Sequence, residues 1–152
     1  MVVPNHRRLL YYFTPRTGLT ELVASGRLPA DLPIPASWPV RLLRRPRRIV
    51  VLSDLAELAP EQADGSATVR PGLTATADTL ARITVSVPDA QYWTRWAEWH
   101  GLGRRRQDAI DQEAGGLSGR WWVVSRDIPA SEWVQVEQRA DVDTRVVRPR
   151  AR

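Results

Sequence analysis

The sequence contains no cysteine, no lysine and only two histidines, His6 and His100, among its 152 residues. Without cysteine, the chain can form neither disulfide bonds nor thiolate metal sites. Two histidines are too few for a multi-histidine metal site, so we predict no metal. No apolar run reaches the roughly 18 residues that a membrane-spanning helix needs, and the N-terminal residues lack an apolar signal core. We therefore expect a soluble, cytoplasmic protein without a membrane partner.

All 22 basic residues are arginine, and the formal net charge is +5. Arginine forms bidentate contacts with phosphate and stacks on aromatic faces, which lysine does not. This charge favours acidic partners, and nucleic acid or a nucleotide is the first of them. The alternative is a merely solvated basic surface. The candidate nucleic-acid contacts form two clusters: Arg41, Arg44, Arg45, Arg47 and Arg48, and then Arg104, Arg105 and Arg106.

The length and the apolar content of 43% are those of one globular domain with a proper core. We predict a polar lead-in over residues 1–8, a single α+β domain over 9–140 and a basic, frayed tail over 141–152. Short strands mixed with two to three helices indicate a small mixed sheet. Residues 60–79, rich in Ala, Thr, Gly and Asp, are predicted to be a flexible connection. The predicted strands are 9–13, 49–52, 81–87, 120–124 and 133–137, and the predicted helices are 18–25, 90–100 and 104–114. The continuous apolar run 49–52 suits a strand buried on both faces, and Ile83, Val85 and Val87 are expected to share one face of their strand. In the helix 104–114, Ala109 and Ile110 are expected to face inward.

The helix predicted over 90–100 carries Trp93, Trp96 and Trp99 at a spacing of three, which covers one broad face. Aromatic platforms of this kind can stack the bases of single-stranded nucleic acid. The alternative is a core role, because indoles bury large apolar areas. We expect at least two of the three to be core. Trp121 and Trp122 are expected to point to opposite faces of their strand.

The stretch 9–28 combines an apolar aromatic strand, a turn through Pro15 and Gly18, and a short helix that ends at Gly26. Taken with later segments, this order resembles the ADP-ribosyltransferase fold, closest to DNA-modifying toxins of the DarT type and their phage and actinobacterial relatives. The segments that carry the resemblance are Tyr11 to Thr14, Gly26-Arg27-Leu28, Val51-Leu52-Ser53, Trp121 to Val124, Ile128-Pro129 and Trp133 to Val136.

The resemblance implies NAD as the cofactor. Tyr12 and Thr14 would line the nucleotide pocket, with Ser53 in support, and Arg16 or Arg27 would meet the pyrophosphate. We therefore expect the side chains of Tyr12, Thr14 and Ser53 to converge on one pocket.

Two positions depart from the family pattern. The family's ribose-binding histidine falls on Tyr12, and its catalytic glutamate falls on Arg120 or Trp121. A carboxylate stabilises the cationic sugar of the transition state, which neither replacement can do. Glu137 or Glu113 would have to serve as the catalytic carboxylate, Glu137 from a strand face shared with Trp133 and Gln135.

Two functional hypotheses therefore stand. The first is an ADP-ribosyltransferase-like domain that binds NAD or a nucleotide and acts on or beside nucleic acid. The second is a catalytically inactive descendant of that fold that binds nucleic acid or a host protein, as phage-type inhibitors do.

Overall fold

A computed structural model describes residues 8–33, 48–55, 64–70, 73–76, 80–114, 116–139 and 144–146. The strands are β1 Arg8–Pro15, β2 Arg27–Leu28, β3 Leu32–Pro33, β4 Arg48–Ser53, β5 Asp64–Arg70, β6 Leu73–Thr76, β7 Leu80–Val87, β8 Gln91–Tyr92, β9 Trp121–Val124, β10 Ile128–Pro129, β11 Trp133–Arg139 and β12 Thr144–Val146. The helices are α1 Arg16–Ser25, α2 Trp93–Trp99 and α3 Arg104–Glu113, with 3-10 helices at Leu117–Arg120 and Ala130–Glu132. This confirms the α+β prediction.

The main sheet has the strand order β12-β11-β7-β1-β4-β9-β8, with β3 also paired to β4. Every pairing among the described strands is antiparallel, so the sheet is antiparallel where we predicted a mixed one. The central strand β1 runs opposite to both of its neighbours, β7 and β4, so the centre of the sheet contains no parallel pair. Two small ribbons, β2–β10 and β5–β6, lie off the main sheet.

The core is divided between the two faces of this sheet. On the first face, α2, α3 and the 3-10 helix at 117–120 pack over β4 and β9. The second face is covered by α1 and by the β2–β10 ribbon. The strand β4 is buried from Ile49 to Ser53, as its continuous apolar run predicted. In β7, Ile83, Val85 and Val87 are buried on the second face, which confirms the predicted alternation.

The β1–α1 unit forms as predicted, with slightly wider bounds. Leu19 of α1 is buried, and Leu22 and Val23 pack against the same cluster. The helix ends at Gly26, whose φ of 67° is left-handed and whose N–H lies 3.0 Å from the carbonyl oxygen of Leu22. Glycine adopts this conformation without the Cβ strain of other residues, which is why the helix stops here.

The prediction of a flexible connection over 60–79 is wrong where the structure describes it. Residues 64–70 and 73–76 form the antiparallel hairpin β5–β6, with Arg70 opposite Leu73. The Thr and Val residues of these segments favour extended backbone.

Three further details differ from the predictions. The chain stays extended through Gln91 and Tyr92, because these residues pair with Val123 and Trp122 of β9, so α2 begins only at Trp93. In α3, Ile110 packs against the core as predicted, whereas Ala109 is exposed. Within the predicted frayed tail, residues 144–146 pair with β11 as β12.

Among the described residues, the search for a helix with the length and apolar character needed to cross a membrane finds none.

Candidate nucleic-acid interface

The side chains predicted to bind NAD lie on opposite faces of the sheet. Tyr12 packs in the cluster beneath α1, and Thr14, two residues further along β1, faces the same helix. Ser53 pairs in register with Tyr11 and Trp121, on the other face. The three side chains therefore do not converge on one pocket, contrary to our expectation. Period-two alternation is the cause: Ser53 is opposite Tyr11, so it faces away from Tyr12.

Tyr12 and Thr14 are also closed off from solvent, with 3% of each residue exposed. The Oγ1 of Thr14 would lie only 3.3 Å from a Cβ placed on Gly18, so strand and helix approach closely at this point. The Ser53 hydroxyl accepts a hydrogen bond from the N–H of Leu55 at 3.1 Å. Of the predicted pyrophosphate contacts, Arg16 is the first residue of α1, and Arg27 pairs with Asp127 at 3.5 Å.

Glu137, the first candidate carboxylate, forms a half-buried ion pair with Arg82 on the neighbouring strand. A register shift between Trp133 and Gln135 reverses the alternation in β11. As a result, Trp133 packs beneath α1 with Val85, while Gln135 and Glu137 face the other side with Thr84 and Arg82. The prediction that Trp133, Gln135 and Glu137 share one face is therefore wrong, because a bulge adds one residue. The side chain of Glu113 lies outside the described part of the chain.

Trp121, one of the two positions at which the resemblance would place the catalytic glutamate, is a buried indole. Trp121 is 1% exposed and packs edge-on against Trp93, with ring centroids 5.9 Å apart. Its neighbour Arg120 pairs with Asp54 at 3.0 Å, and the same carboxylate accepts the indole N–H of Trp122 at 3.2 Å. Trp121 packs in the core cluster of the first face and Trp122 against that of the second, so the two side chains point to opposite faces, as predicted.

The arginines of the described chain differ in their ion pairing. Four of them are held by carboxylates of the protein itself: Arg27 by Asp127, Arg82 by Glu137, Arg120 by Asp54, and Arg126 by Asp89 and Glu132. In contrast, Arg95, Arg104 and Arg105 are exposed, and within the described ranges none of the three forms an ion pair.

Arg95 belongs to α2, and Arg104 and Arg105 are the first two residues of α3, the next helix of the chain. Arg104, Arg105 and Arg106, one of the two predicted clusters, begin α3 and are all exposed. The first turn of α3 carries no acidic residue, so the positive end of its backbone dipole adds to their charge. Of the other predicted cluster, Arg48 is exposed at the first position of β4, and the remaining four arginines lie outside the described residues.

The tryptophan stripe divides as predicted, with two indoles in the core. Trp93 and Trp96 are buried and stack on each other with centroids 5.8 Å apart. Trp99, in contrast, is 86% exposed, the largest value among the exposed large hydrophobic residues of the described chain. Arg95 precedes Trp99 by four residues, so the two side chains share one face of α2. We call Arg95, Trp99, Arg104, Arg105 and Arg106 the elbow surface.

A cleft of about 270 Å³ lies beside the elbow surface, between α2, α3 and the 3-10 helix at 117–120. Arg104 lies on its wall together with three carboxylates, those of Glu98, Asp108 and Asp111. Asp111 accepts a hydrogen bond from the hydroxyl of Ser118, which is buried. The search for three or more His, Cys, Asp or Glu side chains able to hold a metal ion finds no group among the described residues.

Comparison with protein-family models, curated proteins and solved structures finds no significant match for this chain.

Sequence reasoning missed Arg95 as a site residue. The signal was present in the sequence, because Arg95 and Trp99 are four residues apart within a predicted helix and must share a face. The three-residue spacing of the tryptophans instead indicates the buried side of that helix, where Trp93 and Trp96 lie.

Proposed function

We propose that this chain is a nucleic-acid-binding module whose elbow surface contacts the phosphate backbone. The proposal rests on one observation: Arg95, Arg104 and Arg105 are exposed, as is Trp99, and the three arginines form no ion pair within the described chain. It is the second of the two hypotheses raised from the sequence, with nucleic acid as the partner. The predicted cytoplasmic location is part of the same proposal.

Unpaired surface arginines repel one another, and a protein keeps them together at some cost in stability. Arg27, Arg82, Arg120 and Arg126, in contrast, each pair with a carboxylate of the chain. A ligand with regularly spaced negative charges compensates the elbow surface, and arginine binds phosphate oxygens through two parallel hydrogen bonds. Phosphate contacts of this kind set the position and the affinity of a nucleic acid.

The test is the salt dependence of oligonucleotide binding, measured by fluorescence anisotropy from about 50 to 200 mM salt. We compare the wild type with Arg95→Gln, Arg104→Gln and Arg105→Gln. Each lost phosphate contact is expected to weaken binding at every base sequence and to reduce the slope of log K against log salt by about one. Arg27→Gln is the matched control, because Arg27 is exposed but already paired with Asp127.

Binding that does not change with salt, or that falls equally in the Arg27→Gln control, contradicts the role of the elbow surface. A wild type that binds no oligonucleotide contradicts the proposal as a whole. A host protein would then be the partner to search for.

A second candidate function is NAD binding by an ADP-ribosyltransferase-like domain. The observation that favours it is the order of elements, with β1 running directly into α1 and with β9, the Ile128-Pro129 segment and β11 following late in the chain. NAD would have to displace α1 from β1 to reach Tyr12 and Thr14, because both are buried. Isothermal titration with NAD tests this, and binding lost in both Tyr12→Ala and Thr14→Ala supports it. NAD binding at this position is rejected if the wild type shows no heat of binding, or if both variants bind NAD as the wild type does.

A further inference from the structure

We infer that the ligand of the elbow surface is single-stranded, and that one unpaired base stacks on the indole of Trp99. This inference rests on the proposed function and specifies the form of nucleic acid. It follows from the exposure of Trp99, from its position relative to Arg95 and from the distribution of charge around the cleft.

Trp99 differs sharply from the other two tryptophans of its helix. Trp93 and Trp96 are 4% and 2% exposed, whereas Trp99 is 86% exposed. In the ranges that the structure describes, Trp93 and Trp96 have ring partners and Trp99 has none. Both faces of the Trp99 indole are therefore open to a planar ligand. Burial of the indole against such a ligand is favourable, because a large apolar area leaves water.

An unpaired base provides the ring face that Trp99 can cover. In a duplex, the faces of the bases are covered by their neighbours, and proteins reach only the base edges through the grooves. In a single strand, bases can separate and stack on aromatic side chains irrespective of their identity. An exposed indole on a basic surface is therefore suited to single-stranded nucleic acid.

The position of Arg95 fits the spacing between a base and its phosphate. Residues four apart on a helix have Cβ atoms roughly 5–6 Å apart, and the arginine side chain extends well beyond its Cβ. Arg95 can therefore reach the phosphate of the nucleotide whose base lies on Trp99. Arg104 and Arg105 follow five and six residues after Trp99, at the start of α3, and can reach the next phosphates.

The carboxylates of the cleft determine on which side the backbone runs. Glu98, Asp108 and Asp111 repel phosphates, so the sugar-phosphate backbone is expected to follow the elbow surface and to stay outside the cleft. The bases are then directed towards the cleft, where carboxylates can accept hydrogen bonds from exocyclic amino groups. Cytosine, adenine and guanine carry such groups, whereas thymine and uracil do not.

The experiment compares a labelled single strand with the duplex of the same sequence, again by anisotropy and at one salt concentration. The wild type is expected to bind the single strand more tightly. Trp99→Ala is expected to weaken single-strand binding about 5- to 150-fold and to leave duplex binding nearly unchanged, whereas Trp99→Phe retains most of the affinity. Leu9→Ala, at another exposed large side chain on β1, is the matched control. Circular dichroism confirms that each variant is folded.

The outcomes separate this inference from the proposed function. The stacking inference is overturned if the wild type binds single strand and duplex equally and Trp99→Ala binds as tightly as the wild type. If that binding still depends on salt, the result supports phosphate contact alone. Loss of binding to both forms in Trp99→Ala also overturns it, since stacking concerns only the single strand. A wild type that binds neither form overturns the inference together with the proposed function.

Discussion

Arg126 donates two hydrogen bonds to Asp89, one from Nε and one from Nη2, each 2.8 Å long and each to a different carboxylate oxygen. The same guanidinium donates to both carboxylate oxygens of Glu132, at 2.6 and 2.9 Å. Arg126 thus joins the segment after β7 to the 3-10 helix that precedes β11.

The first prediction concerns this network. Arg126→Ala is expected to lower the free energy of unfolding by about 1 kcal/mol, as for a surface ion pair with good geometry. Arg95→Ala serves as the control, since Arg95 is exposed without a described ion pair. Urea denaturation of the three proteins provides the comparison. A smaller effect for Arg126→Ala than for Arg95→Ala would mean that the network contributes nothing to stability.

The second prediction concerns pH. The hydrogen bond from Arg126 holds the pKa of the Asp89 carboxyl below its ordinary value of 3.8. A carboxyl with a lowered pKa stabilises the fold above its unfolded-state pKa, and this contribution is lost as the pH falls through the folded-state pKa. We expect Asp89→Asn to be less stable than the wild type at pH 7 and the difference to shrink below about pH 4. A difference that stays constant from pH 7 to pH 2 would rule out this linkage.

The third prediction concerns Arg82 and Glu137, which pair across β7 and β11 with 18% and 17% of their side chains exposed. Glu137→Gln is expected to cost about 2 kcal/mol, the range for a hydrogen bond to a charged group. A double-mutant cycle with Arg82→Met isolates the coupling between the two residues. Additive single-variant effects would show that the pair has no net interaction, and Glu137 would again be available for another role.

The fourth prediction contrasts two tryptophans of α2. Trp96→Ala is expected to cost about 3–5 kcal/mol, because it leaves a cavity beside Trp93 and His100. Trp99→Ala is expected to change stability by less than about 0.5 kcal/mol, because it removes an exposed side chain. Thermal unfolding of both variants gives the answer. Equal destabilisation would mean that Trp99 is covered in solution and unavailable to a ligand.

The fifth prediction concerns the end of α1. Gly26→Ala is expected to cost about 1 kcal/mol, because Cβ is strained at a φ of 67° although nothing lies within 4 Å of it. Gly119→Ala is the matched control, since its Cβ would meet only the Tyr92 hydroxyl at an ordinary 3.8 Å. A neutral Gly26→Ala variant would show that the helix end can adopt another conformation.

Much of the fold could be predicted because its signals are local. The alternation of Ile83, Val85 and Val87 gave one face of β7, and the run from Ile49 to Leu52 indicated a strand buried on both faces. Gly26 marked the end of α1, and two of the three tryptophans of α2 were correctly expected in the core. Each of these inferences depends on side-chain period or on the conformational preference of one residue.

The sites predicted for NAD failed to come together for a reason that is not local. Tyr12 and Ser53 belong to neighbouring strands, and only the register, Tyr11 opposite Ser53, decides that they face away from each other. The bulge in β11 similarly separated Trp133 from Gln135 and Glu137 and brought Glu137 to Arg82. Register and bulges depend on pairing with distant strands, and no pattern within one strand specifies them.

By itself, the sequence determined the basic charge carried entirely by arginine, the α+β class and the alternation of faces in the regular strand β7. The tertiary structure alone decided which arginines are neutralised by carboxylates of the chain and which remain exposed at the elbow surface. It also decided that Trp99, with the same chemistry and spacing as Trp93 and Trp96, lies outside the core. The physical reason is that burial and ion pairing are properties of contacts between elements, which arise only when the sheet and helices pack together.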